Sequence, residues 1–337
     1  MRSVVEIGSF AAGYCGRLFA QTGHPVIRID SGASPPAWAS QEAMDEFLHS
    51  DKTIIETPDS NELDRIASSA DIVVIEASSA NEVKEIGFDS WTCPIKVAIT
   101  PFGRSGPHKN WQATPSTLLA MGGFTNLMGD PERAPLTLPG HFVEFQSGGF
   151  AYAAAMACGF SSQSDSIDIG MLEVVMALSQ FTTVMWHCAD IVRSRHGNDF
   201  WSVVPTNLFR CRDGWVYINI VPGFWDPFAA FLELPELVID ERFATNTLRM
   251  KNRDALHQLT AEVLANLSRS EIQRRADECR IPLGAVLSFD EVLCDPHLAS
   301  RNMWDSRLSK SQEEISVPRL PWLCYDAFPQ SPSSETT

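Results

Sequence analysis

The chain has 337 residues, 44% hydrophobic and 20% charged, with a formal net charge of −16. That is a globular composition with enough apolar residues for two domains, and it holds no uncharged apolar run of the roughly 18 residues that a membrane helix needs. The acidity argues against nonspecific binding to nucleic acid or an anionic membrane, yet leaves room for small anions held by local N–H groups and a few basic side chains.

Eight cysteines (15, 93, 158, 188, 211, 279, 294 and 324) form no C-x-x-C pair. A zinc site or disulfide framework is disfavoured, and reduced thiols in the cytoplasm fit better. The opening "MRSVVEIGSFAAGYCG" carries Glu6 early and reads as a first strand rather than a signal peptide. In chain order, residues 3–8 (SVVEIG) predict a short strand, "AAGYCGRLFAQTG" a glycine-rich turn and helix, and "PVIRID" a second strand about twenty residues on. This is the start of a βαβ alternation, continued by "ELDRIASSA", "DIVVIEAS" and "PIKVAIT". Residues 147–160 and 168–192 read as helices separated by the polar "SSQSDS".

The character changes near residue 205. "NLFRCRDGWVYINIV" holds two strand-like runs around Arg212-Asp213-Gly214, a hairpin signal. The amphipathic helices "GFWDPFAAFLE", "NRDALHQLTAEVLANL" and "SRSEIQRRADECR" follow, with Ser268 or Ser270 placed to cap the last. The fold class is therefore α/β, with an open Rossmann-like parallel sheet in a large domain over 1–200. A smaller α+β domain spans about 205–300, and the polar end, 326–337, reads as disordered.

Three stretches bear on chemistry. In "GSFAAGYCGRLFAQTGHPVIRID" the glycines at 13, 16 and 23 depart from G-x-G-x-x-G, so a tight packing turn and a ligand contact both stay open. "ITPFGRSGPHKNW" puts Gly103, Gly106 and Pro107 after a buried strand, in a loop at the strand's carboxyl end, where open α/β sheets bind ligands. Arg104, His108 and Lys109 make that loop locally positive, whether as ligand contacts or as solvated side chains.

"PGHFVEFQSGGFAYAAAMACGF" sets Glu144 between Val143 and Phe145, where a carboxylate must be exposed, paired or used. With Ser147, Gly148 and Gly149 in the first turn of a following helix, free N–H groups there favour an anion. Glu144 can then act as nucleophile or general base, with those amides holding an oxyanion. The plainer readings are a helix-start charge for Glu144 and a satisfied loop histidine for His141. His187, Cys188 and Asp190 in "MWHCAD" read as helix packing rather than a metal site.

Taken in order, these stretches resemble the class III CoA-transferases, the group of formyl-CoA transferase, carnitine CoA-transferase and bile-acid-inducible protein F, which includes α-methylacyl-CoA racemase. "ITPFGRSGP" resembles that family's "S-x-F-G-x-x-G-P" loop, and "DIGMLEVVMALSQ" its "D-x-S-L-L-E" helix. "AMGGFTNLMGDPERAPLTLPGHFVEFQSGGFAYAAAMA" resembles the segment holding the catalytic aspartate. "DERFATNTLRMKNRDAL" and "IPLGAVLSFDEVLCDPHLASRNMW" resemble two signatures of the small domain.

The resemblance implies an interlocked homodimer, with residues 301–325 returning to the large domain. It also implies chemistry in which a carboxylate attacks an acyl-CoA to form a mixed anhydride, from which CoA passes to a second acid. Glu144 matches the catalytic aspartate, with His141, Gly148 and Gly149 beside it. Ala11, Ala12, Gly13, Lys52, Phe102, Gly103 and Arg104 match positions that hold CoA. Acyl-CoA and carboxylic acids are the expected small-molecule partners, with no metal, nucleic acid or membrane.

Departures are also visible. Ala11 replaces a glutamine, Thr114 falls near the racemase histidine, and Ser31 and Ser79 stand where arginines are usual. Those losses imply weakly held CoA phosphates. They keep two alternatives open: a catalytically degenerate subunit in a heteromer with a full-length paralogue, and a lyase, hydrolase or isomerase using Glu144 as a base.

Overall fold

The computed structural model describes residues 1–30, 42–56, 58–161, 164–308 and 311–324. The chain begins β1 (Val4–Ile7), α1 (Phe10–Gln21), β2 (Val26–Asp30), α2 (Glu42–His49), β3 (Thr53–Glu56) and α3 (Ser60–Ser69). It continues β4 (Ile72–Glu76), α4 (Ala80–Glu85), β5 (Ile95–Thr100), α5 (Pro115–Met121), α6 (Phe124–Leu127) and α7 (Phe142–Ser161). Then come β6 (Asp165–Gly170), α8 (Met171–Leu178), α9 (Gln180–Ala189), β7 (Thr206–Cys211), β8 (Gly214–Asn219) and α10 (Trp225–Phe231). The remainder is α11 (Asn246–Lys251), α12 (Arg253–Leu264), α13 (Arg269–Cys279), β9 (Leu283–Ala285), α14 (Phe289–Leu293), α15 (Pro296–Ser300), β10 (Trp304–Leu308) and β11 (Glu314–Pro318). Two compact units result: Met1–Gly122 with Pro139–Leu178 and Leu293–Thr337, and Gly123–Leu138 with Ser179–Val292.

The first unit is organised by a six-stranded sheet in the order β3-β2-β1-β4-β5-β6, parallel throughout. Its middle strands are buried runs of Val and Ile, as expected where helices cover both faces. From β1 the chain winds toward β2, and from β4 it winds the other way toward β5. The direction reverses between β1 and β4, and the carboxyl edge at such a switch point is where sheets of this kind bind ligands.

One charge interrupts the apolar centre. Glu6 of β1 has no exposed surface, and its carboxylate meets Lys52 Nζ at 2.5 Å, Arg28 Nη1 at 3.1 Å and His49 Nδ1 at 3.4 Å. Burial alone would push the Glu6 carboxyl up. The Lys52 charge and the His49 hydrogen bond outweigh it and hold the group below the usual range. Helix α1 crosses directly above, and a Cβ on Gly16 would stand 1.7 Å from Glu6 Oε2, so only glycine fits there.

The hairpin β10–β11 also belongs to this unit. Arg307 holds Asp51 at 2.7 and 2.9 Å, and Arg17 Nη2 donates to the Pro318 carbonyl at 2.7 Å.

In the second unit, β7-β8-β9 form an antiparallel sheet whose first turn closes at Cys211 and Gly214, the hairpin read from the sequence. Phe228, Phe231, Phe243, Leu256 and Ile272 pack on its buried face. Ser268 caps α13 by accepting from Glu271 N–H at 3.2 Å. Gly123–Leu138 lie in this unit although the sequence places them in the large domain. Arg195 donates to the Asp130 carbonyl, and Gly197 N–H to that of Gly129, which ties the segment to the chain beyond α9.

Several expectations need correction. The helix expected over 168–192 is in fact β6 followed by α8 and α9, because Ile167 and Ile169 alternate with polar residues at strand period against β5. Helix α7 starts at Phe142, five residues earlier than read, while α2 and β3 were not read at all. Helix α9 buries none of its residues within the chain, so "MWHCAD" is exposed rather than packed. Ser31 and the tail 326–337 lie outside the described residues.

Replacing Lys52 by Met strips the buried Glu6 Oε2 of its cation and leaves only Arg28 and His49 on Oε1. We expect a loss of about 3 kcal/mol by chemical denaturation, with much of it recovered in the Glu6→Gln/Lys52→Met double variant.

Candidate active site

Helix α1 begins at the carboxyl edge of β1 with a defect. Its N-cap, Ser9, makes no side-chain hydrogen bond to the helix. The cap comes instead from the neighbouring strand. Glu76, the last residue of β4, places Oε2 at 3.1 Å from Ser9 N, 2.8 Å from Ala11 N and 3.1 Å from Ala12 N. Parallel pairing explains this, since Ile7 lies beside Ile75 and the next residue of β4 falls under the start of α1. The crossing is tight: Gly8 has φ +133, and a Cβ there would stand 2.6 Å from Glu76 Cβ.

Helix α7 lies along α1. The approach is set at Gly148, where a Cβ would be 2.5 Å from the Ala11 carbonyl oxygen and 3.2 Å from Tyr14 Cβ. One turn earlier, Glu144 reaches the start of α1 with only 4% of its surface exposed. His141 Nδ1 lies 3.2 Å from Glu144 Oε1, and the His141 ring stacks flat on Phe10 with centroids 3.9 Å apart. Phe145 closes the side with edge contacts to Phe10 and Tyr14.

Glu144 Oε2 is buried with no hydrogen-bond partner among the described residues. A carboxylate oxygen left in that condition is unfavourable for stability, and it is a free lone pair for chemistry. Glu76 senses it. Burial pushes the Glu76 carboxyl up to about 7 and the negative charge of Glu144 adds to the rise, against the three amides that pull it down.

The structure thus brings together Glu144, His141 and the first turn of α1, and it corrects the rest of the expected set. Gly148 and Gly149 sit in the second turn of α7, where helical geometry directs their N–H groups to the carbonyls of Glu144 and Phe145. They are not oxyanion donors; Gly148 is a packing residue.

Ala11, Ala12 and Gly13 are buried, and the Ala11 and Ala12 amides are taken by Glu76. With the Gly13 amide donating to the Ser9 carbonyl, none of the three has a backbone N–H left for a phosphate. Lys52 has no exposed side chain and lies on Glu6 and the Gly13 carbonyl, so it is no phosphate contact. Arg104 is likewise committed: its guanidinium pairs with Asp89 and lies over the Phe88 ring, and its N–H donates to Asp168 at 2.8 Å. Gly103, at φ +77, faces the same Asp168, and Phe102 stands edge-on to His108 and Trp111. Thr114 spends its hydroxyl capping α5.

Sequence reading missed Glu76. The sequence marks it only as an acid closing an apolar strand; the pairing with β1 and the helix start that Ser9 leaves uncapped appear only in the fold.

Residues 2–334 match the family model of CoA-transferase family III, and the chain belongs to that family. A succinyl-CoA–D-citramalate CoA-transferase of Chloroflexus aurantiacus is 28% identical to it, over 94% of this chain and 86% of the relative. A succinate–glutarate CoA-transferase of Agrobacterium fabrum is 22% identical, over 89% of this chain and 82% of its own. The crystal structure of a CAIB/BAIF family protein from Brucella suis superposes with a TM-score of 0.84 at 23% identity, covering 97% of this chain and 92% of that one, which establishes the shared fold.

The two glycines of α7 should respond oppositely to alanine. Gly148→Ala forces a methyl onto the Ala11 carbonyl and is expected to lower stability by about 2 kcal/mol. Gly149→Ala meets nothing within 4 Å and is expected to raise stability by about 0.5 kcal/mol through helix propensity. Thermal unfolding of both variants reads the difference.

Proposed function

We propose that the protein transfers CoA from an acyl-CoA donor to a carboxylic acid, with Glu144 Oε2 as the nucleophile. The observation that carries this reading is the buried, unpartnered oxygen of Glu144 beside the start of α1. Oε2 attacks the thioester carbonyl, the C–S bond breaks, and CoA leaves as the thiolate, giving a mixed anhydride on Glu144. The thiolate attacks the Glu144 carbonyl carbon of that anhydride and releases the donor acid. The acceptor carboxylate attacks the resulting Glu144 thioester and forms a second anhydride. CoA then attacks the acceptor's acyl carbon, which restores the Glu144 carboxylate. His141, held flat by Phe10, keeps Oε1 occupied so that Oε2 faces the substrate.

The names of the relatives support a short dicarboxylic donor, since succinyl-CoA or succinate stands in both. CoA enters as a substrate, and its phosphates are held by groups other than Lys52 and Arg104. We propose a cytoplasmic homodimer with the interlocked architecture of the family. Phe181, Val184 and Trp186, each at least half exposed on α9, support burial against a second chain. A heteromer is the second reading, because a relative 25% identical over 94% of this chain is named the alpha subunit of succinyl-CoA–L-malate CoA-transferase.

Glu144→Gln is expected to lower turnover of succinyl-CoA with an acceptor acid by about 10³-fold or more. Hydroxylamine added during turnover should convert Glu144 of the wild type into a hydroxamate, detected by peptide mass. Glu144→Asp draws the oxygens back by about an ångström, and a fall of roughly 10²-fold is expected. Full turnover in Glu144→Gln excludes the nucleophile, and activity that appears only on adding a paralogous chain selects the heteromer.

A further inference from the structure

We propose that Glu76 is a positioning residue for the transfer reaction, which aligns the nucleophile through the first turn of α1 and drives its attack by charge repulsion. The inference rests on the reading of Glu144 as nucleophile and deepens it.

The alignment is a chain of contacts. Glu76 Oε2 gathers three amides at the start of a 12-residue helix whose own N-cap makes no side-chain bond. Phe10 lies within that turn, its ring stacks on His141, and His141 holds Glu144 Oε1. The backbone is built around the arrangement, since Gly8 can pass Glu76 only without a Cβ. Moving Glu76 therefore moves the plane against which the Glu144 carboxylate is set.

The repulsion follows from two carboxylates set against one turn of α1: Glu76 holds the Ala11 amide, and Glu144 stands one helical turn before Gly148, which packs on the Ala11 carbonyl. Helix α1 presents backbone N–H groups to Glu76, and α7 presents the Glu144 carboxylate. Among the described residues the one basic group set against either carboxylate is His141, 3.2 Å from Glu144 Oε1. Lys52 and Arg28 are bound to Glu6, and Arg104 is bound to Asp89. When Oε2 attacks a thioester, its negative charge passes to the carbonyl oxygen and then to the departing thiolate, away from Glu76. Repulsion present in the free enzyme is thereby relieved along the reaction. A repulsion present in the ground state and relieved in the transition state raises kcat rather than lowering KM. The amides compensate Glu76 itself, so the helix start tolerates the second charge.

Glu76→Gln separates charge from shape, because the amide oxygen can still accept from the α1 amides. The test measures steady-state kinetics and the rate of adduct formation on Glu144 with succinyl-CoA at pH 8, above the Glu76 midpoint of about 7. We expect acylation and kcat to fall about tenfold, KM to stay within about twofold, and Glu76→Asp to restore part of kcat. A kcat equal to wild type in Glu76→Gln overturns the proposal, and so does a loss confined to thermal stability, which would make Glu76 a helix cap alone. If Glu144→Gln is inactive while Glu76→Gln is fully active, this inference fails and the nucleophile stands. If Glu144→Gln turns over normally, the nucleophile itself fails.

Discussion

Helix α1 is the member on which the rest of the first unit depends, because it is gripped from three directions by groups that fit only one placement. Below it, the buried Glu6 and Lys52 pair leaves no room for a side chain at Gly16. At its start, Glu76 supplies the anion that its N-cap lacks. Above it, α7 approaches until Gly148 nearly touches the Ala11 carbonyl. Each contact is backbone against a fixed polar group or a glycine, so none can slide without a large penalty. Glu144 and His141 are carried on α7 one turn from that approach, and their position is a consequence of it.

The same economy explains why Lys52, Arg28 and Arg104 are not free to hold a ligand. In a chain with a net charge of −16, the cations are drawn to internal acids: Lys52 and Arg28 to Glu6, Arg104 to Asp89, and Arg307 to Asp51. Electrostatics inside the first unit thus serves the sheet and its helices. The start of α1 is left with two carboxylates and an aromatic wall of Phe10, Tyr14 and Phe145.

Much of this was legible in the residues. Runs such as "DIVVIE" and "PIKVAIT" mark buried parallel strands, and Arg212-Asp213-Gly214 marks its hairpin. The candidate acid was legible less from its neighbours, which allow a plain helix-start charge, than from the resemblance that sets Glu144 at the place of the family's catalytic aspartate. What stayed hidden depended on contacts far apart in sequence. Whether Gly148 donates an N–H or packs a helix turns on where α7 begins, and that start lies at Phe142 rather than near Ser147. Whether Lys52 is free turns on an acid 46 residues earlier. Glu76 looked like the end of a strand, and its role appears only when β4 lies beside β1. Edge strand β3 escaped because its short "TIIE" is mostly exposed and has no clear alternation of buried and exposed faces.

The central claim is that Glu144 exchanges an oxygen with the substrate acids on every complete turnover. In the anhydride route, an acceptor acid labelled with heavy oxygen in its carboxylate leaves one labelled oxygen in the Glu144 side chain. Mass analysis of the peptide containing Glu144, after many turnovers with succinyl-CoA and the labelled acid, tests this directly. The account predicts label in Glu144 and in no other carboxylate, whereas rapid turnover that leaves Glu144 unlabelled would contradict it.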